Sequence, residues 1–293
     1  MIQKRSHKMP FAFVIPLLFV YTAILIIPIF TAFGLSFTSW DGFVTSPISF
    51  AGLKNYIQMF SDHKFANSIK VTFIFTAVVA VIDNVGGLLL AMLLNKPSKL
   101  TTISRTVLFI PYVISSVAIS FIWMSILSST GVLNSFLNSI GLGKYAGNYF
   151  ATGTSSLVCI CIVEIWRTLG FHMVIYLAAL QTVPNELYEA CVVDGGNAWD
   201  RFIHITLPSI IPGVTVSVLM GIINEIRIYD VIKVLTGGGP GTQTQSITLN
   251  IVQQAYSKNR MGYASAIGVF LFVMIVVISL IWLKISSKME DDK

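Results

Sequence analysis

Asp83, Asn84, Glu164, Arg167, His172, Asn224, Glu225, Arg227 and Asp230 stand inside stretches that are otherwise apolar. Ionisable groups in such surroundings are costly, so they pair with one another or face a wet cavity, and they mark paths for solutes or ions. The chemistry on offer is recognition: amide, carboxylate and guanidinium groups that can meet a polar solute. Asn224, Arg227 and Asp230 recur at helical spacing and fall on one helix face. The competing reading is polar glue between helices, with Arg167 or Arg227 neutralised by Glu164, Glu225, Asp83 or Asp230; such contacts contribute about 0.6 kcal/mol each. Catalysis has less support. The four histidines, His7, His63, His172 and His204, are scattered, and none belongs to a His-Glu-x-x-His pair, so no metal is expected. Cys159 and Cys161 lie in an apolar run and Cys191 in a polar one, without disulfide or zinc-ligand company. The run Gly237-Gly238-Gly239-Pro240-Gly241 is not followed by the lysine of a phosphate loop and reads as a turn, so no nucleotide or other cofactor is expected.

The elements that carry these residues follow from composition. With 55% hydrophobic and 11% charged residues and a mean hydropathy of +0.78, the chain is an all-α polytopic membrane protein in expectation. Runs long enough to cross about 30 Å of hydrocarbon lie near 11–36, 69–94, 104–127, 156–180, 209–232 and 263–285. They predict a single transmembrane domain over 1–293. The first run exceeds a signal peptide in length and has no small-residue cleavage site after it. Basic residues set the orientation. Lys4, Arg5, Lys8, Lys96, Lys99, Arg105, Arg201, Lys284, Lys288 and Lys293 fall on one side, against Lys54, Lys64, Lys70, Lys144, Lys233, Lys258 and Arg260 on the other. Both termini are therefore expected in the cytoplasm. The net charge of +6 is explained by this topology and implies no nucleic-acid partner.

Pro16, Pro28 and Pro111 would kink their spans unless neighbouring helices satisfy the freed backbone groups, which implies a packed bundle. No internal repeat suggests two inverted halves, so half of a two-subunit pore fits better. Between the fourth and fifth runs lies a polar island at 184–208. Pro184 suits the first position of a helix, Glu186 its first turn, and Gly195 the left-handed stop. Leu187, Ala190 and Cys191 share one face, and Glu186, Glu189 and Val193 another. Asn197 can cap a second short helix bearing Asp200, Trp199, Phe202 and Ile203, which Pro208 is expected to break. An amphipathic loop lying on the membrane surface is the plainer reading of the same pattern.

The order Pro184-Asn185-Glu186-Leu187-Tyr188-Glu189-Ala190, then Asp194-Gly195, Trp199, Phe202, Ile205 and Leu207-Pro208, resembles the EAA loop of permease subunits in ATP-binding-cassette importers. Tyr229-Asp230 to Gly241, with Gly262-Tyr263-Ala264-Ser265-Ala266, is similar to the MalF-like member of the carbohydrate-uptake permease pairs. Cys191 stands where that family usually has alanine, and Gly196 where it often does. The resemblance implies a type I importer fold and a heterodimer with a second permease. It also implies two ATPase subunits, an extracellular solute-binding protein and a sugar cargo. It makes Glu186, Glu189, Ala190, Cys191, Asp194, Gly195, Leu207 and Pro208 ATPase-coupling residues. A sugar path wants amide, carboxylate and aromatic groups, which Asn224, Arg227, Tyr229, Asp230, Arg167 and Tyr176, with Trp166 nearby, can supply. Two other readings stay open: an ion-coupled transporter using Asp83, Glu164, Glu225 and Asp230, and an importer of an anionic sugar derivative attracted by Arg167 and Arg227.

Overall fold

Helices account for the regular structure, because the spans must satisfy their backbone groups internally. The computed structural model describes residues 11–291, with the side chains of 11–13 and of 291 left aside. The N-terminal cluster Lys4, Arg5 and Lys8, and Lys293, lie outside the described residues. Among the described residues, six helical stretches are long and apolar enough to cross a membrane: Val14–Leu35, His63–Leu94, Ser116–Ser139, Gly153–Leu180, Ile211–Leu235 and Met261–Glu290. The chain divides into two compact units. One comprises the described residues up to Ser61 together with Ile251–Phe270, and the other Asp62–Asn250 together with the described residues from Leu271 onward.

The second unit holds the longest packed helices, α1 (His63–Leu94) and α2 (Gly153–Leu180), which lie against each other along their lengths. Around them pack α3 (Lys99–Val113), α4 (Ser116–Leu127), α5 (Ile211–Ile226) and α6 (Asp230–Leu235). Phe75, Val79, Ile119, Ile160, Val163, Val231 and Ile232 form one apolar core, and Ala91, Met173, Tyr176, Leu177, Leu180 and Ile210 another. Gly170 is what lets α3 approach α2, since a Cβ there would run into the backbone carbonyl of Leu108.

The expected third span, 104–127, is two helices. Ile114 and Ser115 are extended between α3 and α4. An apolar stretch of even composition carries no periodic sign of such a break; what makes it is that Ser115 starts a new helix, its carbonyl accepting from the Ile119 N–H at 3.0 Å. The fifth span is interrupted too: α5 ends at Ile226, and Tyr229, with φ −137° and ψ −58°, precedes α6. Asn224, Arg227 and Asp230 therefore do not share one helix face, because the last of them begins a different helix.

Two prolines, Pro28 and Pro208, are absorbed in a way the sequence pattern does not suggest, whereas Pro111 lies within α3. A π-helical turn at Thr22–Ile26 closes with the Ile27 N–H on the Thr22 carbonyl, one residue before Pro28. A second at Phe202–Thr206 closes with the Leu207 N–H on the Phe202 carbonyl, one residue before Pro208. Proline supplies no N–H and crowds the preceding turn; a wider turn accommodates both. Pro208 thus does not end its helix, which runs on to Ser209 and yields at Ile210.

Candidate functional site

Both interruptions in the second unit open into one cavity of about 560 Å³. Ile114 and Ser116 reach it from the α3–α4 break, and Arg227, Ile228 and Tyr229 from the α5–α6 break. Irregular backbone at membrane depth is tolerated where it is covered by protein or lines a wet space. Helix α2 supplies a polar face to the same cavity through Glu164, Arg167, Thr168 and His172, and Asn224, Glu225 and Asp230 complete it.

The charges are arranged, not scattered. Arg167 donates from Nε and Nη2 to the Glu164 carboxylate, the first at 3.2 Å. Behind this pair the Thr168 hydroxyl donates to Asp83 at 2.6 Å, and His172 Nε2 lies 3.8 Å from the same carboxylate oxygen. The other His172 nitrogen meets the Ser217 hydroxyl at 2.8 Å. Ser116 donates to Asp230 at 2.6 Å, while Arg227 bonds the Ile223 carbonyl at 3.0 Å and the Asn224 amide oxygen at 3.3 Å. An aromatic wall adjoins the pair: Tyr112 stacks on Phe171 with centroids 4.4 Å apart, and the Arg167 guanidinium lies 5.8 Å over the Tyr112 ring. Glu225 is buried at the cavity wall, and one of its carboxylate oxygens has no hydrogen-bond partner. Such a chamber can hold a hydroxyl-rich solute through acceptors and a stacking face. Among the described residues no cluster of His, Cys, Asp and Glu could hold a metal ion.

The structure brings Arg167, Asn224, Arg227, Tyr229 and Asp230 to this cavity. Tyr176 it puts elsewhere: 2% exposed, in the second apolar core, its hydroxyl donating to Asn84 at 2.7 Å. Trp166 packs edge-on against Trp123 at 5.6 Å and does not line the cavity. Tyr112, Ser116, Thr168 and Phe171 escaped sequence reasoning. The signal available was Pro111-Tyr112 followed by Ser115-Ser116, a proline and paired serines in a run otherwise fit to cross.

The polar island has the opposite construction. Asn185–Val193 forms α7, with extended Pro184 as its N-cap, not its first turn. Gly195, at φ +83°, turns the chain, and the Gly195 and Gly196 N–H groups close on the Val192 and Cys191 carbonyls at 3.1 and 2.8 Å. Asn197 then caps α8 (198–209): its side chain accepts from the Trp199 and Asp200 N–H groups at 2.8 and 3.2 Å, and Asp200 accepts from the Asn197 N–H at 2.9 Å. Tyr188 ties the two helices together through Thr206 at 3.0 Å. No residue of α7 is buried; Val193 is 86% and Trp199 68% exposed. Glu186, Glu189, Ala190, Asp194 and Gly195 are exposed, and Cys191 and Leu207 are half-buried with Pro208.

Residues 83–290 match the family described as binding-protein-dependent transport system inner membrane component. The probable starch degradation products transport system permease protein AmyD of Thermoanaerobacterium thermosulfurigenes is 35% identical, over 95% of this chain and 94% of that one. The trehalose/maltose transport system permease protein MalF of Thermococcus litoralis is 32% identical, over 98% and 96%. A solved chain of a bacterial alginate ABC transporter, in complex with an alginate pentasaccharide-bound periplasmic protein, superposes with a TM-score of 0.82 at 24% identity, over 96% of this chain and 94% of that one. The last likeness establishes the fold, that of a type I importer permease, and the family match reaches both the cavity-lining residues and the 184–208 helix pair. The chain is a multi-pass membrane protein that belongs to the inner membrane components of binding-protein-dependent transport systems, the permeases of ABC transporters.

Proposed function

We propose that this chain is one of two different permease subunits of an ATP-driven importer and forms half of a sugar path. A second permease completes the pore, two ATPase subunits supply the work, and an extracellular binding protein delivers the cargo. The observation that carries this reading is the helix pair at 184–208. Its second helix carries a reciprocal cap, Tyr188 ties it to the first, it exposes Val193 and Trp199, and it is joined to two membrane helices. A short stiff element between spans transmits rigid-body motion when the partner holding it moves. Glu186, Glu189, Ala190, Cys191, Asp194, Gly195, Leu207 and Pro208 form this coupling segment, on the cytoplasmic side with both termini.

The cargo reading rests on the cavity and on the names of the relatives. Arg167, Asn224, Arg227, Tyr229 and Asp230 line the path in this proposal. The carboxylates of Glu164, Glu225 and Asp230 stand beside the guanidiniums of Arg167 and Arg227, so the lining has no excess of positive charge, and a neutral sugar or oligosaccharide suits it better than an anionic derivative. The AmyD and MalF relatives carry the names of starch-product and trehalose/maltose systems.

Reconstitution of the chain with both partner types into liposomes tests the proposal. Uptake is expected only with internal ATP and with the binding protein present; uptake by the chain alone would overturn it. Glu189→Ala is expected to weaken ATPase association by about 2–5 kcal/mol, the usual effect of truncating one member of a buried interfacial charge pair, while insertion continues. Normal uptake at normal abundance removes Glu189 from the coupling set. Asn224→Leu is expected to impair transport with the complex intact.

A further inference from the structure

Lys54 and Arg260 run against the charge bias that orients this chain, and topology leaves them unexplained. In the first unit they meet. A cavity of about 160 Å³ is lined by Trp40, Lys54, Asn55, Gln58, Arg260 and Tyr263, among others. The Arg260 guanidinium lies 4.3 Å over the Tyr263 ring and donates to Gln58 Oε1 at 2.7 Å. These contacts fix its plane and leave further N–H donors for a ligand, since a guanidinium carries five. The Lys54 ammonium makes no hydrogen bond or ion pair among the described residues. No carboxylate lines the cavity. The nearest in sequence, Asp41, is turned to its own loop, where it accepts from the Phe43 N–H at 2.9 Å and the Ser46 hydroxyl at 2.7 Å. Those donors hold its carboxyl below the usual range.

The surroundings say which anion. Asn55 donates to the Ser36 and Thr38 carbonyls at 2.8 and 2.7 Å, so the cavity sits at the end of the first apolar helix. That helix has none of its apolar window buried, and its end is where hydrocarbon gives way to headgroups. Phe50 is 83%, Leu53 62% and Ile57 69% exposed; they flank Ala51 and Lys54 of the cavity wall. Asn259, whose φ of 51° is the one positive value for a non-glycine among the described residues, precedes Arg260 and lines the cavity as well. Asparagine is among the few side chains that adopt that conformation readily, and the turn it makes sets where Arg260 leaves the chain.

We propose that this cavity binds the phosphate of an anionic phospholipid, with Arg260 and Lys54 as the cationic pair and the acyl chains lying over Phe50, Leu53 and Ile57. Arginine meets phosphate through a fork of donors and lysine as a point charge. The site is independent of the transport reading and requires only that the chain be embedded in a bilayer.

Native mass spectrometry of the full chain, titrated with phosphatidylglycerol and with phosphatidylcholine of the same acyl chains, tests it. The wild-type chain is expected to retain phosphatidylglycerol preferentially. Lys54→Gln and Arg260→Gln are each expected to lower that affinity roughly fivefold, the effect of one basic residue at a membrane surface, with millimolar inorganic phosphate failing to compete. Lys54→Gln keeps the test free of folding effects, because its ammonium has no partner to lose. Equal retention of both lipids, or no change in the double variant, overturns the proposal. Displacement by inorganic phosphate would mean a free-anion site instead. Unchanged lipid retention combined with lost capture of an extracellular protein by Lys54→Gln would mean a protein-docking surface.

Discussion

The cavity and the 184–208 helix pair bear polar residues in similar variety and hold them by opposite means. In the cavity, the two arginines find partners within a turn, but the rest of the network comes from afar: Thr168 reaches Asp83, Ser116 reaches Asp230, and His172 reaches Ser217. In the helix pair the partners are close in sequence, as in the reciprocal Asn197–Asp200 bonds and the Gly195–Val192 closure. One region exists only when the spans have packed; the other is specified within a few residues and presents its apolar side chains outward. The roles proposed for them ask for these different origins, because a binding chamber must exclude lipid and a docking knob must leave surface for another protein.

The comparison breaks first at the packing of the cavity wall. Gly170→Leu would drive a side chain into the Leu108 backbone and push α3, with Tyr112, off α2. Overpacking costs typically about 1–3 kcal/mol and more where backbone is struck, so at least about 3 kcal/mol is expected here, seen as loss of monodisperse protein after membrane extraction. Full accumulation with an unchanged melting temperature would show that the interhelical approach is not tight. Next comes Glu164→Gln. Arg167 is mostly buried, at 17% side-chain exposure, and would be left without its carboxylate; breaking such a pair costs about 3–5 kcal/mol. The double substitution Glu164→Leu with Arg167→Met is expected to recover most of that thermal stability while abolishing uptake. A double variant no more stable than the single would mean that the pair is not what holds this wall.

A substitution in the helix pair should behave in reverse. Trp199→Ala removes a ring that is 68% exposed and rests on Phe202 at 5.7 Å. The melting temperature of the purified chain should hardly move, whereas association with the ATPase is expected to weaken by about 2–4 kcal/mol, as for an aromatic anchor. A pull-down across ATPase concentrations reads the difference. Equal loss in both measurements would erase the contrast between the two regions.

This division also explains what could be read from residues alone. The spans follow from runs of apolar residues, and Asn197, Asp200 and Gly195 announce caps and a turn because those signals act over a few positions. The breaks at 114–115 and 227–229 depend on what packs around them; Pro111 and the paired Ser115-Ser116 are the one local sign of the first, and they do not by themselves fix where the helix stops. Tyr176 was expected in the path and sits in the core because its partner, Asn84, is on another helix. Pro208 was expected to end a helix, and a π-turn whose length composition does not encode carries the helix past it. Arg167, Arg227 and Asp230 reach one cavity even though the helical spacing that linked the last two does not exist in the fold.

The smallest effect isolates the local side of the contrast. Asn197→Ala removes both acceptor bonds to the Trp199 and Asp200 N–H groups and leaves Asp200 with one half of a reciprocal pair. Loss of an N-cap costs about 1 kcal/mol, too little to unfold spans held by long-range packing. Hydrogen exchange of the Trp199 and Asp200 amides should quicken severalfold, while exchange within α1 and α2 stays fixed. Because the cap sets the angle at which Trp199 leaves the chain, ATPase affinity should fall by a similar increment, and Asn197→Asp should restore both through the same acceptor geometry. Faster exchange spreading into α2 would mean that the knob and the spans share one cooperative unit, and that local capping does not suffice to make the helix pair rigid.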